Sequence, residues 1–501
     1  MHRKIMVQGT GSSVGKSIIV AGLCRIFAQD GYRVSPFKSQ NMALNSFVDI
    51  EGLEMGRAQV VQAESGMEIP RAFMNPILLK PNSDNNSQLI IEGKPVKNTS
   101  AQEYFSNCSY LKEVALRNYQ KIERDFDIGV LEGGGSPAEI NLREYDCVNM
   151  GMAELVDAPV ILVGNIEIGG VFASLYGTIA LLDEEDRKRI KGLIINKFRG
   201  DAELLKPGID MLMARLKSEG LDIKFLGVIP YERLDIEEED VLAKKINDYT
   251  KKEGEIRISV IRTDKMSNYT DFDALNQYPD VALNYVFHKE DLGEEDIIIL
   301  PGSKNTISDI EKLKENGIFE RVKELKNRGT VVVGICGGFQ MLGEEIEDPY
   351  HIEGDQERVE GFGFLKIKTV MERVKYTQQV ERVLESDLGN SVIRGCENLK
   401  VRGYEIHQGV TVGEESNLVK EENFILTANE SVFGTYIHGI FDNEEFTRRF
   451  LNNVRERKGL KPLEDKFSFA EFKEKEYNKL ATLLRNNLDM ASIYEIMNKG
   501  L

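Results

Sequence analysis

The sequence contains no run of about 18 apolar residues, so a membrane-spanning helix is not expected. Met1-His2-Arg3-Lys4 leads straight into the strand-like Ile5-Met6-Val7, leaving no room for the apolar region of a signal peptide. Five cysteines, at positions 24, 108, 147, 336 and 396, include no CxxC pair. That argues against a zinc site and a disulfide framework, and the expected setting is a reducing cytoplasm. Basic residues are outnumbered, 64 against 82 acidic, for a net charge of −18. A general nucleic-acid footprint is not expected, and anionic ligands must be drawn by local sites. Disorder is excluded by the balance of 41% hydrophobic and 29% charged residues.

What is present is length and punctuation. A chain of 501 residues is too long for one core. Strand-like segments at 5–8, 32–37, 128–131, 159–163 and 192–196 alternate with amphipathic stretches. This predicts a doubly wound parallel sheet with helices on both faces, an α/β fold. Between 200 and 255 the pattern weakens. The acidic run 235–240 reads as a solvated surface, and a new strand starts at Ile256 after the charged stretch 244–255. The expected division is 1–250 for a phosphate-loop domain, 251–455 for a second α/β domain and 456–501 for a helical tail. In that tail Phe469, Phe472, Tyr477, Leu480, Leu483 and Leu488 roughly follow helical spacing and predict a docked amphipathic helix.

The first strand runs into Gly9-Thr10-Gly11-Ser12-Ser13-Val14-Gly15-Lys16-Ser17, followed by a helical stretch 18–29 with apolar residues at 19, 20, 23, 26 and 27. Strand, glycine loop and helix are the context a phosphate loop requires, although Thr10 stands where the usual spacing has its first glycine. Backbone N–H groups from Thr10 and Gly11 through Ser13, Val14 and Gly15 can cradle phosphates. Lys16 can reach the β- and γ-phosphates and Ser17 can hold Mg²⁺, so ATP is the expected ligand. Lys38, at the next strand end, is placed to face a phosphate or an anionic substrate. Glu132 ends a third strand before Gly133-Gly134-Gly135 and is a candidate Mg²⁺ ligand, with Glu54 a second candidate.

In the second half, Val331-Val332-Val333-Gly334-Ile335 breaks into Cys336-Gly337-Gly338. This reads as a nucleophile elbow: a strand stops, the thiol sits on a tight turn, and the glycines let backbone N–H groups face an oxyanion. Gly337 and Gly302, the latter in Leu300-Pro301-Gly302-Ser303, are the candidate oxyanion-hole positions. His438 ends another short strand and can serve Cys336 as a base. His407, in Gly403-Tyr404-Glu405-Ile406-His407, reads equally as fold support or ligand contact. His2, His288 and His351 have no such setting.

These strings together resemble the cobyric acid synthase family over nearly the whole chain. They include GTGSSVGKS, KSQNMALNS (38–46), GRAQ (56–59), NPILLKP (75–81), LEGGGSPAEINL (131–142), SNYTDFDAL (267–275), LPGSKNTI (300–307), GICGGFQMLG (334–343), GYEIHQG (403–409) and YIHGIF (436–441). The N-terminal half is also similar to dethiobiotin synthetase and the C-terminal half to class I glutamine amidotransferases. The resemblance implies that Cys336 and His438 release ammonia from glutamine, while ATP activates corrin-ring carboxylates of an adenosylated corrinoid as acyl phosphates. It carries the a,c-diamide of adenosylcobyrinic acid to cobyric acid, with cobalt as substrate cargo and no redox cofactor. No nucleic-acid or membrane partner is implied, and an oligomer remains possible. An amidotransferase for another polycarboxylate, such as an a,c-diamide synthase, and a non-catalytic ATP- and corrinoid-binding regulator are the alternatives. A cobalamin carrier is disfavoured by the absence of an Asp-x-His-x-x-Gly string.

Three departures stand out. Position 440 is Ile where amidotransferases of this class carry a Glu two residues after the His, a trait the resembled family shares, so the group orienting His438 is open between Glu405 and Asp442. Asn165-Ile166-Glu167-Ile168-Gly169-Gly170 stands where the family reads Asp-x-Asp-Arg-Gly-Gly. Loss of that Arg removes a bidentate partner for carboxylate or phosphate. Thr263-Asp264-Lys265-Met266 replaces an apolar, proline-containing segment.

Overall fold

The computed structural model describes residues 2–81, 86–236, 254–420, 424–464 and 467–500. The chain folds as two compact units that are not consecutive in sequence: Met1–Ala43, Glu54–Asp240 and Phe472–Leu501 form the first, Leu44–Leu53 and Val241–Glu471 the second. The expected linear division is therefore altered twice. An arm of ten residues, 44–53, leaves the first unit for the second, and the C-terminal helices return to the first. Most of the acidic run and of the charged stretch before Ile256 lies outside the described residues.

The first unit is built on β1 (Arg3–Gly9), β2 (Val34–Phe37), β3 (Ile128–Glu132), β4 (Val160–Asn165), β5 (Ile190–Phe198) and β6 (Lys224–Pro230). All pair in parallel in the order β6-β5-β4-β1-β3-β2. Side chains alternate along each strand, so Ile5 and Val7 enter the core on one face of the sheet and Met6 the core on the other. β6 falls in the stretch where the sequence pattern weakens. Only two of its seven residues, Leu226 and Ile229, are buried, which is why its apolar signal is faint.

Helix α1 (Lys16–Gln29) follows β1, with Ile19, Val20, Leu23, Ile26 and Phe27 all buried. Helix α2 (Arg57–Ser65) packs beside it. The tail forms α5 (Phe469–Asn487) and α6 (Met490–Lys499), numbered after two helices of the second unit given below. Leu480, Leu484, Leu488 and Ile493 join the core of α1. Gly22 admits this contact: a β-carbon there would lie 2.3 Å from Leu484 Cδ1. Arg25, 1% exposed, is satisfied by Glu474, by Asn478 Oδ1 at 3.1 Å and by Ser65 O at 3.4 Å. A buried guanidinium without such acceptors would be strongly destabilising.

The second unit holds β7 (Ile256–Ile261), β8 (Val281–Val286), β9 (Ile297–Leu300), β10 (Val331–Ile335), β13 (Leu426–Ala428) and β14 (Val432–Thr435) in the order β8-β7-β9-β10-β14-β13. Only the β13–β14 pair is antiparallel. Helices α3 (Thr306–Glu315) and α4 (Gly337–Leu342) follow β9 and β10. A long antiparallel hairpin of β11 (Ile367–Val383) and β12 (Lys400–Gly413) stands in a separate sheet. Among the described residues no helix is long and apolar enough to cross a membrane.

Replacing Leu484, 1% exposed, with Ala leaves a cavity under α1. It should lower unfolding free energy by about 3 kcal/mol, seen as a lower urea midpoint with an unchanged slope.

Candidate active sites

In the first unit the phosphate loop joins β1 to α1. Gly15 adopts φ 98°, ψ 23° at the helix start, and a β-carbon there would lie 2.2 Å from Asn196 Nδ2. Only glycine meets both conditions. Asn196 Nδ2 donates to Val14 O at 2.9 Å, and Lys197 Nζ donates to Ser13 O at 2.7 Å, so the end of β5 buttresses the loop. Thr10 N donates to Val163 O at 2.9 Å and so anchors the loop to β4. Lys16 Nζ, folded back on the loop, donates to Gly11 O at 2.9 Å and to Gly135 O at 3.1 Å.

Glu132 is the hub. Its Oε1 accepts from Ser17 Oγ at 2.8 Å and pairs with Lys38 Nζ at 3.0 Å, and its Oε2 accepts from Gln62 Nε2 at 2.5 Å. Burial alone would raise its pKa. The Lys38 charge, then the hydrogen bonds from Gln62 and Ser17 and the charge of Lys16, prevail and hold it below the usual carboxylate value. A carboxylate kept ionised beside a loop hydroxyl is a donor set suited to a divalent cation and its phosphates. Three buried carboxamide oxygens, Gln8 Oε1, Gln62 Oε1 and Asn149 Oδ1, have no hydrogen-bond partner among the described residues, and Gln8 and Asn149 both flank Gly133. Glu54 forms a buried ion pair with Lys80, at 3.0 Å. Among the described residues no group of three His, Cys, Asp or Glu side chains is arranged to hold a metal. The 165–170 loop follows β4, and Ile168 in it is 80% exposed.

In the second unit Cys336 has φ 53°, ψ −110°, a conformation rarely adopted by residues with a β-carbon and a mark of a strained nucleophile elbow. The elbow is tight. A β-carbon on Gly338 would fall 1.9 Å from Leu300 O, and one on Gly337 would fall 2.8 Å from Ser303 N and 3.0 Å from Thr306 Oγ1. The Pro301-Gly302-Ser303 turn thus lies against the elbow. A β-carbon on Gly302 would lie 3.5 Å from His438 Cε1, which brings the same turn against the imidazole. Cys336 Sγ donates to Ile406 O at 3.5 Å.

His438 is 1% exposed, three residues beyond β14, which pairs with β10 in the register Ile335↔Thr435. Its Nδ1 meets Asp271 Oδ2 at 2.7 Å, and Asp271 Oδ1 accepts from Gly439 N at 3.0 Å. Asp271 therefore occupies the orienting position that the sequence left open. Glu405 instead accepts from Gln378 Nε2 at 3.2 Å and approaches His407 Nε2 at 3.4 Å. His407 is stacked between Tyr376 and Tyr436. Asp271 lies 167 residues before His438, so no local spacing reveals it; the SNYTDFDAL string was its only signal. Burial pulls the His438 pKa down, but the charge and hydrogen bond of Asp271, with a further contribution from Cys336, raise it to about 10. His438 Nε2 is buried without a hydrogen-bond partner among the described residues, the nitrogen left for chemistry.

Residues 5–241 match the CobQ/CobB/MinD/ParA nucleotide binding domain, and residues 257–446 match the CobB/CobQ-like glutamine amidotransferase domain. Over its full length the chain is 50% identical to a cobyric acid synthase of Caldanaerobacter subterraneus subsp. tengcongensis and 48% identical to one of Thermoanaerobacter sp., covering 99% of each. It is 49% identical over 98% of its length to 99% of another from Alkaliphilus metalliredigens.

Asp271→Asn keeps the shape of the His438 contact and removes its charge. The His438 pKa, followed by NMR, should fall from about 10, because the carboxylate charge that offsets burial is removed. In the unaltered protein this raised pKa contributes stability that is full below about pH 6.5 and is lost as the pH rises through about 10. Glutamine hydrolysis at neutral pH should drop on the order of 10³- to 10⁴-fold in the variant.

Proposed function

The chain belongs to the cobyric acid synthase family, and from that premise we propose that it amidates side-chain carboxylates of adenosylcobyrinic acid a,c-diamide to give cobyric acid, using ATP and ammonia taken from glutamine. The observation that carries the reading is the presence in one polypeptide of a strained Cys336 elbow backed by His438–Asp271 and a phosphate loop backed by Glu132.

In the glutaminase half, Cys336 passes its thiol proton to His438 Nε2 and its Sγ adds to the side-chain amide carbon of glutamine. The backbone N–H groups of Gly302 and Gly337 are the donors to the developing oxyanion. The imidazolium that Asp271 favours gives its Nε2 proton to the departing nitrogen, and ammonia leaves a thioester. The neutral imidazole then takes a proton from water, which attacks the thioester, releases glutamate and frees the thiol. Asp271 stays ionised and holds the ring's tautomer and angle.

In the nucleotide half, the amides of residues 11–16 and the start of α1 bind phosphate, and Lys16 offsets charge on the γ-phosphoryl group. Ser17 and Glu132 are the residues that would hold Mg²⁺, which when bound supplies further charge neutralisation on the phosphates. A substrate carboxylate oxygen attacks the γ-phosphorus and ADP leaves. Ammonia then attacks the acyl phosphate, inorganic phosphate departs, and a carboxamide remains. Lys38 keeps Glu132 ionised for this work. A reducing cytoplasm, as expected from the unpaired cysteines, suits such a pathway. Ile168 in place of Arg is the feature that favours a different polycarboxylate, and the experiment below separates the two substrates.

Purified protein given ATP, Mg²⁺, glutamine and adenosylcobyrinic acid a,c-diamide should produce stepwise mass losses of about 1 Da per amidation, the exchange of hydroxyl for amino. Cys336→Ser should lose more than about 10³-fold of the glutamine-driven rate and keep the ammonia-driven rate. Lys16→Ala should lose both. Glutamine hydrolysis with no corrinoid product would keep the chemistry and reject the substrate.

A further inference from the structure

The arm 44–53 belongs to the second unit, and its contacts there converge on the catalytic histidine. Ser46 N donates to Asn268 Oδ1 at 3.2 Å, and Asn268 Nδ2 donates to Tyr404 Oη at 3.1 Å. Tyr404 Oη in turn donates to Ser46 O at 3.1 Å. This closed ring of three hydrogen bonds fixes the tyrosine hydroxyl, and all three residues are buried. Asn45 Oδ1 accepts from Tyr269 N at 3.2 Å, two residues before Asp271. Phe47 meets the Tyr404 ring edge-on, with centroids 5.0 Å apart, and Val48 completes the apolar cluster with Tyr404 and Ile406.

The Tyr404 ring lies parallel to the His438 imidazole, with centroids 5.2 Å apart and planes 16° apart. The two backbones also exchange hydrogen bonds, His438 N to Tyr404 O at 2.9 Å and Tyr404 N to His438 O at 3.1 Å. The imidazole is thus fixed at its Nδ1 edge by Asp271 and on one face by Tyr404. Asn268 Nδ2 lies 3.4 Å from the same Nδ1, and the Tyr404 contact on the ring face restrains tilting that these edge contacts leave open.

We propose that Tyr404 is a positioning residue for His438 and that the arm 44–53, by gripping Tyr404 through Ser46 and Phe47, is an integral part of the glutaminase centre. This rests on the glutaminase reading above. The arm's neighbours in sequence on both sides are rooted in the first unit, Ala43 N on Leu79 O at 3.1 Å and Glu54 on Lys80 at 3.0 Å. Residues 44–53 are thus a loan from the nucleotide half of the sequence to the glutamine half.

The test compares full-length Tyr404→Phe, which keeps the ring and deletes the hydroxyl, with Phe47→Ala and Phe47→Leu in the arm. Steady-state glutamine hydrolysis and ammonia-driven amidation are measured for each. Tyr404→Phe and Phe47→Ala should lower kcat for glutamine about tenfold with KM changed less than about twofold, the signature of an interaction felt at the reacting histidine. Phe47→Leu, which retains an apolar contact, should recover most of the rate, and all three should keep ammonia-driven amidation. Unchanged kcat in both Tyr404→Phe and Phe47→Ala overturns the proposal. An equal fall in ammonia-driven amidation overturns it too, since the defect would then be one of folding. Wild-type protein that turns over no glutamine overturns the glutaminase reading itself.

Discussion

Parallel strand pairing places the carboxyl ends of neighbouring strands on one edge of a sheet, and the loops that leave that edge are where ligands of open α/β sheets bind. In the first unit β1, β2 and β3 end at the phosphate loop, Lys38 and Glu132. In the second, β9, β10 and β14 end at Gly302, Cys336 and the turn that carries His438. Six side chains or loops that are far apart in sequence are thereby gathered by two sheets whose interiors are almost wholly apolar. Buried β-branched runs supply the rigidity, and the reactive groups occupy the first positions where the ladder no longer constrains them.

Each centre then solves the same electrostatic problem. An ionised carboxylate out of water is costly unless paired and hydrogen-bonded. Glu132 is held by Lys38, Ser17 and Gln62, and Asp271 by His438 and the amide of Gly439. In both cases the partner is itself a reactive group or stands beside one. Stability and function therefore draw on the same contacts, and relaxing either pair would disturb both.

The phosphate loop and the elbow were legible in the sequence because their chemistry is local: consecutive residues with special backbone angles, read from glycines and strand ends. Gly15 and Cys336 carry the positive φ values that those strings require. Helix α1 and the tail were legible from periodicity. Asp271 was not, since a carboxylate that meets its histidine across 167 residues leaves no spacing to read, and Glu405 and Asp442 were nearer only along the chain. Glu54, attractive as an acid near a glycine, lies in an ion pair with Lys80 that sequence order conceals. The faint strand β6, with two of seven residues buried, and the exchange of residues 44–53 are likewise products of tertiary packing rather than of local preference.

The chain's two departures from linear order, the arm 44–53 and the returning helices after Phe472, bear on how such a protein can be inherited. A recombination event that joined the nucleotide half of one relative to the amidotransferase half of another near residue 250 would look clean in sequence and be foreign in structure. The donor's Ser46 and Phe47 would face a stranger's Tyr404, and a stranger's Leu484 would press on the donor's Gly22. Each half of the gene thus encodes one side of a contact whose other side lies in the other half.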